Sequence, residues 1–217
     1  MNRNEVINVL NFRHACKEFD PSKKISSDDF NVILEGGRLA ASSLGIEPWN
    51  FIVIENKDLL TELKPVCTGG TKQLATCSHF VIFLSRTPNE LKSNSDYINH
   101  IFKDIKHLPD EYASMMKSFI KNMEESVLKD EQAAQGYSTE QTYIALSSML
   151  LSAAMLNIDS CTIGGFNKKA VEKILVDRGL LDTNKFDITV CAAFGYRLND
   201  VTPKLRQSMD EVVTWVK

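Results

Sequence analysis

The chain has 217 residues, of which 43% are hydrophobic and 24% are charged, a composition typical of a globular protein that buries a full core. Its formal net charge of -3 argues against a general nucleic-acid-binding protein, which needs a strong basic excess. Any anion site must therefore be a local cluster of cations.

Cysteine usage and the apolar runs indicate where the protein resides. The five cysteines are an odd number and form no Cys-x-x-Cys motif, which predicts free thiols in a reducing compartment. The longest apolar run, 144–158, is too short to span a membrane, and the polar start of the chain shows no signal peptide. We expect a soluble cytoplasmic protein.

The N-terminal quarter of the chain predicts two helices and a loop. Residues from Val6 to Arg13 with i, i+3, i+4, i+7 spacing predict the first helix. Serines and aspartates at 26–29 predict the start of the second helix. A loop of small residues, 40–47, follows and ends at Pro48.

Four apolar segments, 49–54, 79–84, 159–163 and 188–194, predict β-strands. Their apolar residues are continuous, so we expect a central sheet with helices over both faces. The segments between them predict helices at 57–66, 70–77, 94–106, 110–130, 139–157 and 167–176.

Two of these helical regions have a distinctive character. Ser138 and Gln141 form a possible capping box for the helix at 139–157, which is apolar nearly all round and predicted to be buried. It could lie in the core of one subunit or in a dimer interface.

The more polar span 88–136 predicts a helical excursion from the sheet, a candidate lid. We find no linker, which favours one domain over 1–217.

The sequence lacks the common catalytic and nucleotide-binding signatures. There is no Gly-x-Gly-x-x-Gly, no P-loop and no Gly-x-Ser-x-Gly, and the four histidines show no metal-ligand spacing. Cations do occur near both ends of the chain, as Arg13 and Lys17 and as Lys204 and Arg206. Each cationic pair alone is better explained as solvated surface, and Gly164-Gly165 alone as a plain turn.

In combination, four motifs resemble one family. Arg13-His14-x-x-Lys17, Ser42-Ser43 before Pro48-Trp49-x-Phe51, Gly164-Gly165-Phe166 and Pro203-Lys204-x-Arg206 are similar, in this order, to the motifs of FMN-dependent NAD(P)H nitroreductases, specifically the oxygen-insensitive branch. The resemblance covers nearly the whole chain and is weakest at 88–136.

The family resemblance implies a fold and an activity. The fold would be α+β and nitroreductase-like, with a central mixed β-sheet flanked by helices. The protein would be a homodimer with two FMN at its interface. NADH or NADPH would reduce the flavin, and a nitroaromatic or quinone would reoxidise it in the same cleft, by a ping-pong mechanism without a side-chain nucleophile.

The resemblance also implies which residues bind the cofactor. The phosphate would contact Arg13, Lys204 and Arg206, with His14 and Ala15 beside it. Lys17 would lie near the N1–O2 edge of the flavin, where a cation favours the reduced form. The ribityl chain or pyrimidine edge would contact Gly70 and Gln73. The isoalloxazine would lie against Thr162, Ile163, Gly164 and Gly165. The partner subunit's flavin would be reached by Ala41, Ser42, Ser43, Gly45 and Gln141.

Five positions depart from the family pattern. Serine is frequent at position 15, asparagine at 45 and 70, lysine at 73 and glutamate at 164, where this chain has Ala15, Gly45, Gly70, Gln73 and Gly164. The polar groups missing at 45, 70 and 164 leave open a flavin carrier or sensor without turnover. Another reaction of the superfamily, such as flavin fragmentation or dehalogenation, also stays open, and the 88–136 excursion would shape that specificity.

Overall fold

The computed structural model describes all 217 residues and has a four-stranded sheet at its centre. The strands are β1 (Trp49–Ile54), β2 (His79–Arg86), β3 (Asp159–Ile163) and β4 (Phe186–Gly195), in the order β1-β2-β4-β3. All four predicted strands are confirmed. Neighbouring strands are antiparallel throughout, so the expectation of a mixed sheet is wrong for these strands. Continuous apolar strands do not encode direction, and the single parallel contact is an isolated bridge between Ala15 and Ser160.

Nine α-helices surround this sheet. They are α1 (Arg3–Phe12), α2 (Ser27–Arg38), α3 (Lys57–Leu63), α4 (Thr71–Thr76), α5 (Asp96–His100), α6 (Asp110–Glu124), α7 (Glu131–Met155), α8 (Lys168–Asp177) and α9 (Met209–Val212). A π-helical turn, Ile101–Ile105, follows α5. None of the helices is both long and apolar enough to cross a membrane.

The two faces of the sheet carry separate hydrophobic clusters. On one face Phe80 and Ile82 pack with residues of α3, α4 and α8. On the other face Val81 and Phe83 pack with residues of α2 and α7. Helices therefore cover both faces of the central strands, as predicted. Strand β1 differs, because it is an edge strand whose Asn50 and Val53 remain exposed; the prediction that both its faces are covered is wrong.

Helix α7 begins earlier than predicted. Asp130 caps it by accepting from the Ala133 N–H, so the capping box proposed at Ser138 is wrong. The hydroxyl of Ser138 instead lies 3.5 Å from the carbonyl oxygen of Pro48. The polar first two turns of α7 hid this start, because they lack an apolar stripe. Nor is the helix buried all round, since Tyr143 and nearby residues are exposed.

Residues between β2 and α7 form the predicted helical excursion. It contains α5, the π turn and α6, which bury their own cluster around Ile98, Phe102 and Ile120. The helix predicted at 94–106 is thus divided into α5 and the π turn, and the one predicted at 110–130 ends at Glu124.

Candidate functional site

The two ends of the chain meet beside the C-terminus of α1. The Nε2 atom of His14 lies 3.0 Å from the carbonyl oxygen of Thr202, and its Nδ1 atom 3.0 Å from that of Phe12. The ammonium of Lys204 donates to the carbonyl oxygen of Leu10. These contacts bring the two cationic segments together, although 188 residues separate His14 from Thr202.

The cations at this junction have no acidic partner. Burial, and then the positive charges of Arg13 and Arg206, lower the pKa of Lys204. No carboxylate lies within ion-pair distance of Arg13, Lys204 or Arg206. Like charges held this close repel one another. An anion bound among them would relieve that repulsion, so the junction has the chemistry of an anion site.

A fourth cation nearby, Arg197, has hydrogen-bond partners within the chain, and its role was not predicted. Arg197 donates to the buried carboxylate of Asp159 from its backbone N–H at 3.0 Å and from Nε at 2.8 Å. Its Nη2 atom donates to the carbonyl oxygen of Phe12 at 2.9 Å, and its guanidinium lies over the Phe12 ring. Arg197 therefore fixes the end of α1. The one signal in the sequence was Asp159 itself, a lone charge at the start of an apolar strand.

The outer edge of β3 extends this junction. The N–H of Cys16 donates to the carbonyl oxygen of Ser160 at 3.0 Å, so the backbone polar groups of Ser160 point away from β4. Because this orientation alternates along a strand, the N–H of Thr162 also points to the open edge. The side chains of Ala15, Lys17 and Thr162 are exposed there. Lys17 is close enough for its charge to oppose the burial that raises the pKa of Cys161.

The two glycines after β3 have different surroundings. A Cβ at Gly165 would lie 3.0 Å from the Cα of Gly69, whose N–H donates to the Gly165 carbonyl at 2.7 Å. A Cβ at Gly164 would meet nothing within 4 Å. Glycine at 165 is thus required by contact with another segment of the chain, and position 164 is open.

Three other residues of the predicted site are buried beneath this edge. Ile163 is 2% exposed, and its Cδ1 atom would lie 2.7 Å from a Cβ at Gly70. Gln73 is 5% exposed. Its Nε2 atom donates to the carbonyl oxygen of Cys16 at 3.4 Å and lies 3.5 Å from the sulfur of Cys161. The Gln73 amide therefore supports the 15–17 segment from below.

The remaining predicted residues form a second group in the 41–47 loop. The N–H of Ser43 donates to the Oε1 of Gln141 at 2.8 Å, and the hydroxyl of Ser42 accepts from the N–H of Glu47 at 2.9 Å. Ala41 and Ser43 are exposed. The phenol of Tyr97 lies 2.6 Å from the carbonyl oxygen of Ile46. Hydrogen bonds thus fix this loop against α7 and the excursion, and none joins it to the terminal junction.

The cysteines do not contribute a nucleophile. All five are free and buried. Burial raises the pKa of Cys16, nearest the junction, to about 11, so its thiol stays protonated at neutral pH.

Comparison with known proteins matches the model of the "Nitroreductase family" over residues 10–196. The chain is 44% identical over 218 residues to "Putative NAD(P)H nitroreductase YfkO" of Bacillus subtilis, covering 99% of this chain and 98% of that protein. Such relatives support an oxidoreductase.

Solved structures show the same fold. One, from Exiguobacterium sibiricum, is described as a nitroreductase "in complex with FMN"; it has a TM-score of 0.79 at 20% identity and covers 100% of this chain and 98% of its own. Another, the enone reductase CLA-ER of gut-bacterial fatty acid saturation, has a TM-score of 0.79 at 18% identity and covers 100% of both chains. With its nitroreductase-like α+β fold and a family match over most of its length, the chain belongs to the Nitroreductase family.

Proposed function

We propose that this protein is an FMN-dependent NAD(P)H oxidoreductase that reduces nitroaromatics, quinones or similar acceptors, its whole length forming one FMN-binding domain. One observation carries the proposal: Arg13, Lys204 and Arg206 converge from opposite ends of the chain without a carboxylate partner, beside the open edge of β3. Family membership adds the flavin chemistry, and the FMN complex of a structural neighbour agrees with it.

The terminal junction fits a phosphate monoester. Such a group carries nearly two negative charges, and a guanidinium can bind it with two parallel hydrogen bonds. Arg13 makes no side-chain hydrogen bond within the chain, and Arg206 bonds only the carbonyl oxygen of Leu205, at 2.7 Å. Lys204 uses one of its three donors on Leu10. Both ring nitrogens of His14 face carbonyl oxygens, so His14 shapes the site, and Ala15 offers no hydroxyl.

The edge of β3 fits the ring system of the same cofactor. When bound there, FMN would supply hydride chemistry through N5, with negative charge toward N1 and O2 in its reduced form. The exposed Lys17 ammonium would stabilise that charge, and the outward N–H of Thr162 would donate to a ring acceptor. Gly164 and Gly165 have no side chain that would block a flat ring at the end of β3. The buried residues Gly70 and Gln73 support the neighbouring 15–17 segment.

The overall reaction needs no nucleophile from the protein. For a nitro compound, R–NO2 + NAD(P)H + H+ gives R–NO + NAD(P)+ + H2O. For a quinone, quinone + NAD(P)H + H+ gives hydroquinone + NAD(P)+. The chain's residues would position first the donor and then the acceptor over the same open edge of β3. Use of one site in turn predicts ping-pong kinetics.

A homodimer would cover several apolar surfaces that a single chain exposes. Val6, Ile7 and Leu10 of α1 are 43–55% exposed, and Tyr143 and Ile144 of α7 are 45% and 41% exposed. The single chain thus leaves an apolar face on two helices. In the dimer that the family resemblance implies, the 41–47 loop and Gln141 of one subunit would lie beside the flavin of its partner. The five free thiols favour a reducing compartment such as the cytoplasm.

The C-terminal arm, residues 209–217, supports the same dimer. Trp215 is 78% exposed, and Val213 has extended backbone dihedrals. The open edge of β1 borders a groove of about 590 Å³, whose lining includes Trp49 and Phe51. The exposed apolar residues of the arm and the apolar part of this groove, beside the free edge of β1, would complement each other between two copies.

Steady-state kinetics test the proposal. Oxidation of NAD(P)H with menadione or 4-nitrobenzamide should give parallel double-reciprocal lines as the acceptor concentration is varied. Intersecting lines would rule out the ping-pong step. A protein that binds FMN but oxidises NAD(P)H no faster than free flavin would be a carrier or sensor instead.

A further inference from the structure

Lys106 is one of the excursion residues that contact the 41–47 loop, together with Tyr97. Lys106 ends the π turn, and its N–H donates to the carbonyl oxygen of Ile101, five residues earlier, at 3.0 Å. A π turn holds one residue more than an α turn, so it changes the direction of the side chains that follow it. The Lys106 ammonium lies against the backbone of Gly45, where a Cβ would overlap it.

The ammonium of Lys106 has free hydrogen-bonding capacity. It makes no hydrogen bond within the chain, and its ion-pair partner, the Glu47 carboxylate, is 3.9 Å away. That distance is too long for a hydrogen bond. The side chain is 30% exposed, so the ammonium can donate to a bound molecule.

Backbone strain is concentrated where these two segments meet. Leu44, Glu47 and His107 have φ angles of 55°, 49° and 49°; the only other non-glycine residue with a positive φ is Asn157. Each such conformation costs about 1 kcal/mol or more and persists only where its surroundings enforce it. The backbone of the loop and of the π turn is thus held in one arrangement, which sets where the Lys106 side chain begins relative to Gly45.

We propose that Lys106 is a specificity-determining residue that favours substrates carrying an anionic group, either a carboxylate on the acceptor or the 2′-phosphate of NADPH. The inference rests on the proposed function, in which Ser43 and Gly45 lie beside the partner's flavin. Glycine at 45 admits the ammonium. Asparagine, frequent there in the family, would place its Cβ where the Lys106 Nζ now lies. This departure from the family pattern therefore exchanges a short polar side chain for a longer cation.

Pairs of substrates that differ in charge but are similar in shape isolate the effect of the Lys106 charge. We would measure kcat/KM on the FMN-loaded dimer with 4-nitrobenzoate and the neutral 4-nitrobenzamide, using NADH, and with NADPH and NADH, using menadione. Lys106→Met should lower kcat/KM about fivefold for the anionic member of at least one pair, through KM, as expected of a partly exposed ion pair. The neutral member should change less than twofold.

Two further variants control for local structure. Gly45→Asn keeps a residue type that tolerates a positive φ but displaces the ammonium, so it should reproduce the charge-selective loss. Lys103→Met removes a nearby cation that already pairs with Asp110, and it should leave both ratios unchanged. Equal effects of Lys106→Met on both members of each pair, or no effect, would overturn the inference and leave the oxidoreductase proposal intact. Failure of the wild type to reduce either neutral acceptor would overturn both.

Discussion

Arg197 and Arg206 lie near the same helix end but have opposite surroundings. Arg197 bonds a carboxylate that is 3% exposed and a helix carbonyl. Arg206 is exposed, has no carboxylate partner and lies near two other cations. The sequence alone makes both look like surface arginines. The comparison teaches that a cation with satisfied partners stabilises the fold, whereas cations clustered without carboxylate partners remain free to bind an anion.

The largest expected effect on stability comes from Arg197→Ala. It would leave the buried Asp159 carboxylate without its partner, which typically costs about 3 kcal/mol or more. Urea unfolding of the cofactor-free protein should show this loss. Lys168→Ala is the matched control, because its pair with Asp187 is far more exposed and should contribute less than about 1 kcal/mol. Similar values for both variants would contradict the structural role of Arg197.

Gly164 and Gly165, after β3, also differ in how closely other parts of the chain approach them. Gly165→Ala should lower the free energy of unfolding by about 1–3 kcal/mol, because its Cβ would press on the Gly69 backbone. Gly164→Ala, with open space around it, should change stability by less than about 0.5 kcal/mol. Chemical denaturation of the two variants side by side measures this difference, and a larger loss at 164 would reverse the assignment.

A smaller effect concerns the buried thiols. Burial raises the pKa of Cys67 from 9.0 to about 11. The folded state then binds more protons than the unfolded state between these values, so stability is full below pH 9 and is lost as the pH rises toward 11. The free energy of unfolding should fall by about 1 kcal/mol for this thiol by pH 10. Cys67→Ala should be less stable at pH 7 but have a shallower decline. An unchanged slope would show that Cys67 does not titrate as described.

Much of the fold was predictable, because apolar runs and helix periodicity are local features. Residues 49–54 and 159–163 are strands with the predicted bounds. Strand direction was not predictable, nor was the exposure of Val53 at an edge, since both depend on which strands become neighbours. The start of α7 was missed because Glu131 to Ser138 form a helix without an apolar stripe.

The candidate site was predictable only in part. The family resemblance supplied Arg13, Lys204 and Arg206, and the structure places them together. It did not reveal that Gln73 faces inward, because side-chain direction depends on tertiary packing. Neither Arg197 nor Lys106 belongs to a motif, and their roles depend on partners far away in the sequence.

The central claim is that Arg13, Lys204 and Arg206 bind the phosphate of FMN. The most direct test is titration of the cofactor-free protein with FMN and with riboflavin, which lacks the phosphate, for the wild type and for Arg206→Ala. We predict that the wild type binds FMN at least about tenfold more tightly than riboflavin, as expected of charge-assisted hydrogen bonds. Most of this preference should disappear in Arg206→Ala, with the fold retained. Equal affinity of the wild type for the two flavins, or full FMN affinity in the variant, would contradict the account.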